Sequence, residues 1–263
     1  MTFAPQPDCG VTYAVSDRIA RITLNRPPVN ALTLEMIRAL VAALTRAAAD
    51  EAVRALILSS AAPGRFCAGL DLDLLLDADG GRIRKFLQAL YLDLHDAQRA
   101  LGKPSIAAVG GAARGGGMTL AISCDVIIAA SSATFGYPEI DIGVLPAIHF
   151  AHLPRIVGRH RAFELLFSGR SFGAQEAFDL GLVSKVVADA ELEAAGLTLA
   201  RIFAAKSPAA MRLGRAAFMR QNDGDERQRI ADAVEDFCQA AGSAAAREGI
   251  RAFVEKRKPN WQT

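Results

Sequence analysis

Three short stretches of the chain carry residue types that ordinary secondary structure does not require. The first, Gly64-Arg65-Phe66-Cys67-Ala68-Gly69-Leu70-Asp71, is built of small residues that let a ligand approach the main chain closely. The second runs from Gly110 to Thr119 and contains the triplet Gly115-Gly116-Gly117. Each glycine inside a helix costs about 1 kcal/mol relative to alanine, so stability does not explain the triplet. Unshielded N–H groups at a helix N-terminus would face whatever sits there, and the helix dipole favours negative charge. The third stretch, from Phe135 to Pro146, holds Glu139 in a Pro- and Gly-punctuated loop with apolar neighbours. Desolvation raises the pKa of such a carboxylate and suits it to general acid or base work. Asp141 shares that setting.

Each stretch also has a plain structural reading. Glycine is common in strand-to-helix turns, and a lone loop glutamate is usually solvated or salt-bridged. Competing ligand motifs fail on residue type. Gly111 and Gly116 have the spacing of a phosphate loop, but Gly117 and Met118 stand where Lys and Ser or Thr are needed. The GxGxxG dinucleotide pattern is missing as well. What remains is a backbone anion hole without a lysine.

The elements that must position these stretches follow from pattern. Val11 to Val15 and Ile19 to Leu24 alternate around Ser16-Asp17-Arg18 as a hairpin. Thr33 is the expected N-cap of a helix to about Ala49, with Met36, Ile37, Leu40, Val41 and Leu44 on one face. Ala55 to Ser59, Ser105 to Val109, Val126 to Ala130 and Leu182 to Val187 read as buried strands. Helices are expected over Arg82 to Leu101 and from Gly115 onward, giving an α/β fold with mostly parallel pairing. Beyond Ala190 the pattern is helical: Ser207-Pro208 opens a helix to about Gln221, followed by Asp225 to Ala241 and Ala244 to Lys256.

Composition narrows the setting. A net charge of +2 does not call for nucleic acid or an anionic membrane. Cys9, Cys67, Cys124 and Cys238 form no CxxC pair, which suits reduced thiols better than disulfides or zinc, and no metal site is expected. The N-terminal MTFAPQPDCG lacks the basic-then-apolar order of a signal peptide. The longest apolar run, Ser105 to Ile122, is broken by five glycines and Arg114, so no membrane span is expected and cytoplasm is the default.

Taken in order, the stretches resemble the crotonase (enoyl-CoA hydratase/isomerase) family. The likeness begins at Leu24-Asn25-Arg26-Pro27 and Asn30-Ala31-Leu32 and passes through FCAGLD, GAARGGGM, SCDVIIA and FGYPEIDIGVLP. It continues at Leu153-Pro154-Arg155-Ile156-Val157-Gly158 and closes between Glu248 and Pro259. The resemblance implies a spiral of ββα units over residues 1–195 and a C-terminal helical region, residues 196–263, that joins copies into a homotrimer or homohexamer. It implies an acyl-CoA substrate, with coenzyme A entering as part of the thioester and no permanently bound cofactor. The backbone N–H groups of Ala68 and Gly116 would form an oxyanion hole for a thioester enolate, a contribution on the order of 3 kcal/mol per donor. The main chain of Ala68, Gly69, Leu70 and Asp71 would line the CoA groove, and Arg26 and Lys256 are candidates for its phosphates; a solvated surface role serves these two cations equally well.

One departure bears on the chemistry. Family hydratases use two glutamates, and while the second aligns with Glu139, the first falls on Thr119. A threonine hydroxyl orients water but is no acid or base near neutral pH. The acid used by dienoyl-CoA isomerases corresponds roughly to Ala147. A single base suffices to move a double bond, which favours Δ3-Δ2-enoyl-CoA isomerisation with Glu139 as base. Hydration through a water positioned by Thr119 is the alternative, and a non-catalytic acyl-CoA binder a third. The stretch Ala147 to His152 also departs from the family's glycine-rich pattern, so His149 and His152 are candidates for catalysis or for a structural role. Tyr91 and Tyr137 are candidates to border the acyl pocket. RNA binding would need a comb of cations that the helix with Arg82, Arg84, Lys85 and Arg99 does not supply.

Overall fold

A computed structural model describes residues 9–72, 80–222 and 225–260. The N-terminal segment read for a leader therefore lies mostly outside the described residues. Residues 73–79 do so entirely.

Two sheets share the chain. The larger is formed by β1 (Val11–Ser16), β2 (Ile19–Leu24), β3 (Ala55–Ser60), β5 (Ser105–Val109), β7 (Val126–Ala130) and β10 (Lys185–Val187), in that spatial order. Only the β1–β2 hairpin is antiparallel. Its central strands are apolar runs buried on both faces, as parallel sheets require. The smaller sheet has four strands of three residues each: β4 (Arg65–Cys67), β6 (Ala112–Arg114), β8 (Thr134–Gly136) and β9 (Ser171–Gly173). β4, β6 and β8 run parallel, and β9 closes the edge antiparallel.

The helices in chain order are α1 (Leu34–Ala49), α2 (Gly80–Leu87), α3 (Leu94–Ala100), α4 (Gly116–Ser123), α5 (Ala147–Val157), α6 (Arg159–Ser168), α7 (Ala174–Asp179), α8 (Leu192–Ala204), α9 (Pro208–Asn222), α10 (Glu226–Ala241) and α11 (Ala244–Val254). A strand of the large sheet, then one of the small sheet, then helix, is repeated three times: β3-β4-α2/α3, β5-β6-α4 and β7-β8-α5. This is the expected spiral of ββα units.

Local chemistry sets several boundaries. Thr33 caps α1 by accepting from Met36 N, and Lys103 meets the carbonyls of Ala47, Ala48 and Asp50 at its other end. Val41 is only partly buried, whereas Ala43 and Ala47 complete the inward face. The helix expected over Arg82 to Leu101 is interrupted by a π-helical turn, Gln88–Asp93, which brings Leu90, Tyr91 and Leu94 to the interior. The strand expected at Leu182 to Val187 shrinks to Lys185–Val187, because Leu182 and Val183 N–H close the end of α7 on Ala177 O. The last helix stops at Val254 rather than Lys256, where the chain turns left-handed with φ +53° at Lys256.

The expected division at 195/196 falls inside α8. This helix lies on the large sheet, where Ala200 joins Ile57, Ile106 and Ile128 in one buried cluster. α9 carries no buried residue, and Leu213 and Phe218 on it are 67% and 70% exposed. α11 packs against the 3-10 helix Pro138–Ile142 so closely that a methyl on Gly249 would stand 2.4 Å from Ile142 O. The C-terminal segment therefore backs the element that bears Glu139.

Candidate active site

All three chemistry-bearing stretches turn out to be neighbours in the small sheet. β4, β6 and β8 are their strands, and the residues that follow each strand leave the sheet on the same side. Ligand sites collect outside the carboxyl ends of parallel strands. At those ends stand Ala68-Gly69-Leu70 after β4, Gly115-Gly116 after β6, and Tyr137-Pro138-Glu139 after β8.

The Ala68 to Asp71 segment is held by residues 29–32. Ala68 N donates to Val29 O at 3.0 Å, Leu32 N to Gly69 O at 2.7 Å, and Asp71 N to Leu32 O at 3.0 Å. The expectation that Ala68 N–H serves a ligand is thereby revised, since Val29 already takes it. In the Leu32–Leu70 bridge the partner strand bonds residues 69 and 71, which turns Leu70 N–H to the opposite side. Neither Leu70 N–H nor Gly116 N–H has an acceptor among the described residues. The two lie close: a side chain on Gly69 would reach 3.4 Å from Gly116 N, and one on Gly116 would reach 3.5 Å from Leu70 Cδ1.

Glu139 sits over the start of α4. The N-cap, Gly115, has φ +48° and ψ −113°, and a methyl there would stand 2.8 Å from Glu139 Oε1. Only glycine leaves room for the carboxylate at that point and tolerates that backbone. Part of the residue reaches the surface, yet Oε2 is sealed from solvent and has no hydrogen-bond partner among the described residues. Burial pushes the Glu139 carboxyl up to about 7, with the Asp141 charge adding to it and a backbone hydrogen bond opposing it. Asp141 itself is exposed and raised by partial burial. Tyr137 is fully buried with an unpartnered hydroxyl, and Tyr91 is buried nearby. Burial, reinforced by the Glu139 charge, holds both phenols well above their usual range.

Thr119, one turn into α4, is 4% exposed, and its Oγ1 lies 3.5 Å from His149 Nε2. His149 Nε2 also lies 3.3 Å from Gly115 O, and its Nδ1 is 3.0 Å from His152 Nε2. The Tyr137 and His149 ring centroids are 4.5 Å apart. Burial first, then its neighbour His152, holds His149 well below the ordinary imidazole range; burial and the His95 charge push His152 down to about 4. A cavity of about 870 Å³ is lined by Thr119, His152, Tyr91, Leu94, Ile148 and Phe218, among others. Its lining omits Glu139 and Gly116, so it meets the site through Thr119, Tyr91 and His152.

Two of the expected CoA contacts are joined to each other. Arg26 pairs with Asp71 at 2.9 Å and donates to Ala31 O at 2.8 Å. Lys256 is exposed in the turn after α11. Among the described residues no group of His, Cys, Asp or Glu could hold a metal ion, and no helix is long and apolar enough to cross a membrane. All four cysteines are free thiols, and burial pushes Cys67 and Cys124 up to about 12. Arg84, one of the helix cations weighed for RNA, is paired with Glu235.

Residues 14–263 match the profile of the enoyl-CoA hydratase/isomerase family. The chain belongs to that family. A probable enoyl-CoA hydratase of Bacillus subtilis strain 168 is 35% identical over 255 residues, covering 96% of this chain and 98% of the relative. A crotonyl-CoA hydratase of Syntrophomonas wolfei is 35% identical, with 93% and 95% covered. Among solved structures, an enoyl-CoA hydratase from Mycobacterium avium subsp. paratuberculosis superposes with a TM-score of 0.87 at 27% identity, covering 98% of this chain and all of that one. The fold is that of crotonase-type enzymes, and family membership brings CoA thioester chemistry of the hydratase/isomerase kind.

Of the residues singled out in the sequence, Glu139, Gly116 and Thr119 lie around the start of α4, Ala68 N–H is taken by Val29 O, and His149 stands beside Thr119 and Gly115. The His149/His152 spacing of three, which puts both imidazoles on one helix face, was the available signal.

Proposed function

We propose that the enzyme moves a carbon–carbon double bond next to a CoA thioester, converting 3-enoyl-CoA to 2-enoyl-CoA with Glu139 as its single base. The carrying observation is the Glu139 carboxyl: sealed at Oε2, raised to about 7, and set over the Gly115–Gly116 peptide. Its carboxylate takes a proton from C2, and the electron pair passes into the thioester oxygen. The N–H groups of Leu70 and Gly116, both without acceptors among the described residues, supply the oxyanion hole in place of Ala68 and Gly116. The protonated Glu139 then returns its proton at C4. Thr119, where a second carboxylate would stand, is held by a histidine instead.

Hydration is the second reading, favoured by the names of the relatives. Glu139 would draw a proton from a water oriented by the Thr119 hydroxyl. The exposed apolar side chains of Phe163 and Phe167 on α6 and of Leu213 and Phe218 on α9 support burial between copies in a trimer or hexamer. Arg26 and Lys256 would then meet CoA phosphates, with Arg26 exchanging Asp71 for the ligand.

The test follows the absorbance of the conjugated thioester with 3-enoyl-CoA and 2-enoyl-CoA substrates of several lengths. Isomerisation of the first without hydration of the second is expected. Rapid hydration replaces this reading with the second, and inertness toward both, with acyl-CoA still bound, leaves a binding protein.

A further inference from the structure

Gly115 O is the carbonyl half of the peptide unit whose N–H is Gly116's. It receives Met118 N at 2.8 Å, Thr119 N at 3.2 Å and His149 Nε2 at 3.3 Å. The first two belong to the opening turn of α4, but the third comes from α5, 34 residues along the chain. We infer that His149 is a positioning residue for the oxyanion hole: by donating to Gly115 O it orients and polarises the Gly115–Gly116 peptide, whose N–H receives the developing enolate oxygen. This rests on the proposal that Gly116 N–H is one of the hole's donors.

Hydrogen-bond direction supports the assignment. A carbonyl only accepts, so His149 Nε2 must carry the proton. Nδ1 is then the acceptor, and His152 Nε2–H donates to it across 3.0 Å. In this tautomer the order runs from His152 to His149 to Gly115 O, with Thr119 Oγ1 3.5 Å from the same Nε2. Tyr137 packs on the imidazole, and the ring is fully buried. Hydrogen bonds in series polarise one another, so a proton given to the carbonyl makes the N–H of the same peptide a stronger donor. His149 acts on the enolate through main chain and touches no reacting atom.

The test reads the hole directly. Acetoacetyl-CoA ionises at C2 to an ultraviolet-absorbing enolate, and the pH of half-ionisation of the bound thioester reports how strongly the hole holds it. Wild type, His149→Phe and His149→Gln are titrated, with butyryl-CoA affinity measured beside them. The wild type is expected to lower the midpoint relative to free ligand. His149→Phe should raise it by about one pH unit, the size of one hydrogen bond, and lower kcat about tenfold with KM nearly unchanged. His149→Gln, which keeps a donor near Nε2, should recover most of the shift, and butyryl-CoA affinity should stay constant. An unchanged midpoint in His149→Phe overturns the inference and leaves the hole intact. A wild type that does not lower the midpoint overturns the hole and this role together. Should His149→Phe fail to fold, His149→Asn, whose amide is too short to reach Gly115 O, carries the same expectation.

Discussion

The two sheets differ in what their sequences are for. The large one is made of five- and six-residue strands, with β10 alone shorter, and its central strands are buried apolar runs at the heart of the core. The small one has strands of three residues, lends Phe66, Phe135 and Phe172 to the same core, and ends in the groups proposed to do chemistry. One is a scaffold whose residues could be exchanged for others of similar volume; the other is a jig that sets three main-chain segments side by side. The consequence is a division of labour between stability and catalysis that substitution can probe.

The largest expected effect lies at the end of β8. Glu139→Gln removes the proposed base and should lower kcat by about 10²–10⁴ in the enoyl-CoA assay, with the fold retained. Its stability should change in the opposite sense. Because the folded carboxyl is raised from 4.5 to about 7, the native state holds the proton more tightly. Its contribution to stability is complete below about pH 4.5 and is lost as pH rises through 7. Gln carries no such loss, so denaturant unfolding at pH 8 should find the variant more stable by about 1–3 kcal/mol, and at pH 4 the two should coincide. A variant that is less stable at pH 8 would mean that the carboxylate has a native partner.

The same titration governs turnover. A base must be ionised, so kcat/KM of the wild type should rise about tenfold per pH unit up to a midpoint near 7 and then level. A midpoint in the ordinary carboxylate range would place Glu139 in contact with water and weaken the assignment.

The contrast also marks what the sequence made legible. Long apolar strands and the capped α1 were readable because pattern has enough residues to show a period. Strands of three residues have none, so RFC, AAR and TFG passed as parts of loops although their glycine-rich sequels stood out. Glu139 was readable from its apolar neighbours. The proposed donor at Leu70 was not, because it depends on which carbonyl of residues 29–32 takes Ala68 N–H. The contact of His149 with Gly115 O likewise joins two elements whose adjacency only the folded chain reveals.

In the scaffold, Leu56→Ala is expected to cost about 2–5 kcal/mol, since Leu56 is fully buried in β3 and its removal leaves a cavity. Turnover per folded molecule should not change, which active-site titration alongside chemical denaturation would check. A loss of kcat in proportion to stability would break the division drawn above and make the two sheets one mechanical unit.

Gly117→Ala tests the jig from within. The added methyl would stand 2.4 Å from Cys67 O and 2.9 Å from Cys67 Cβ, where β4 passes behind the first turn of α4. The contact with a carbonyl cannot be relieved by turning a side chain, so one of the two segments must move. Overpacking of this kind costs about 1–3 kcal/mol, less than the cavity in β3. The displaced atoms, however, adjoin Ala68 to Leu70 on one side and Gly116 on the other, so the spacing of the two proposed donors changes with them. Turnover should therefore fall by more than in Leu56→Ala although stability falls by less. That crossing of the two rank orders, measured on the same preparations, is what a jig and a scaffold predict, and parallel losses in both variants would refute it.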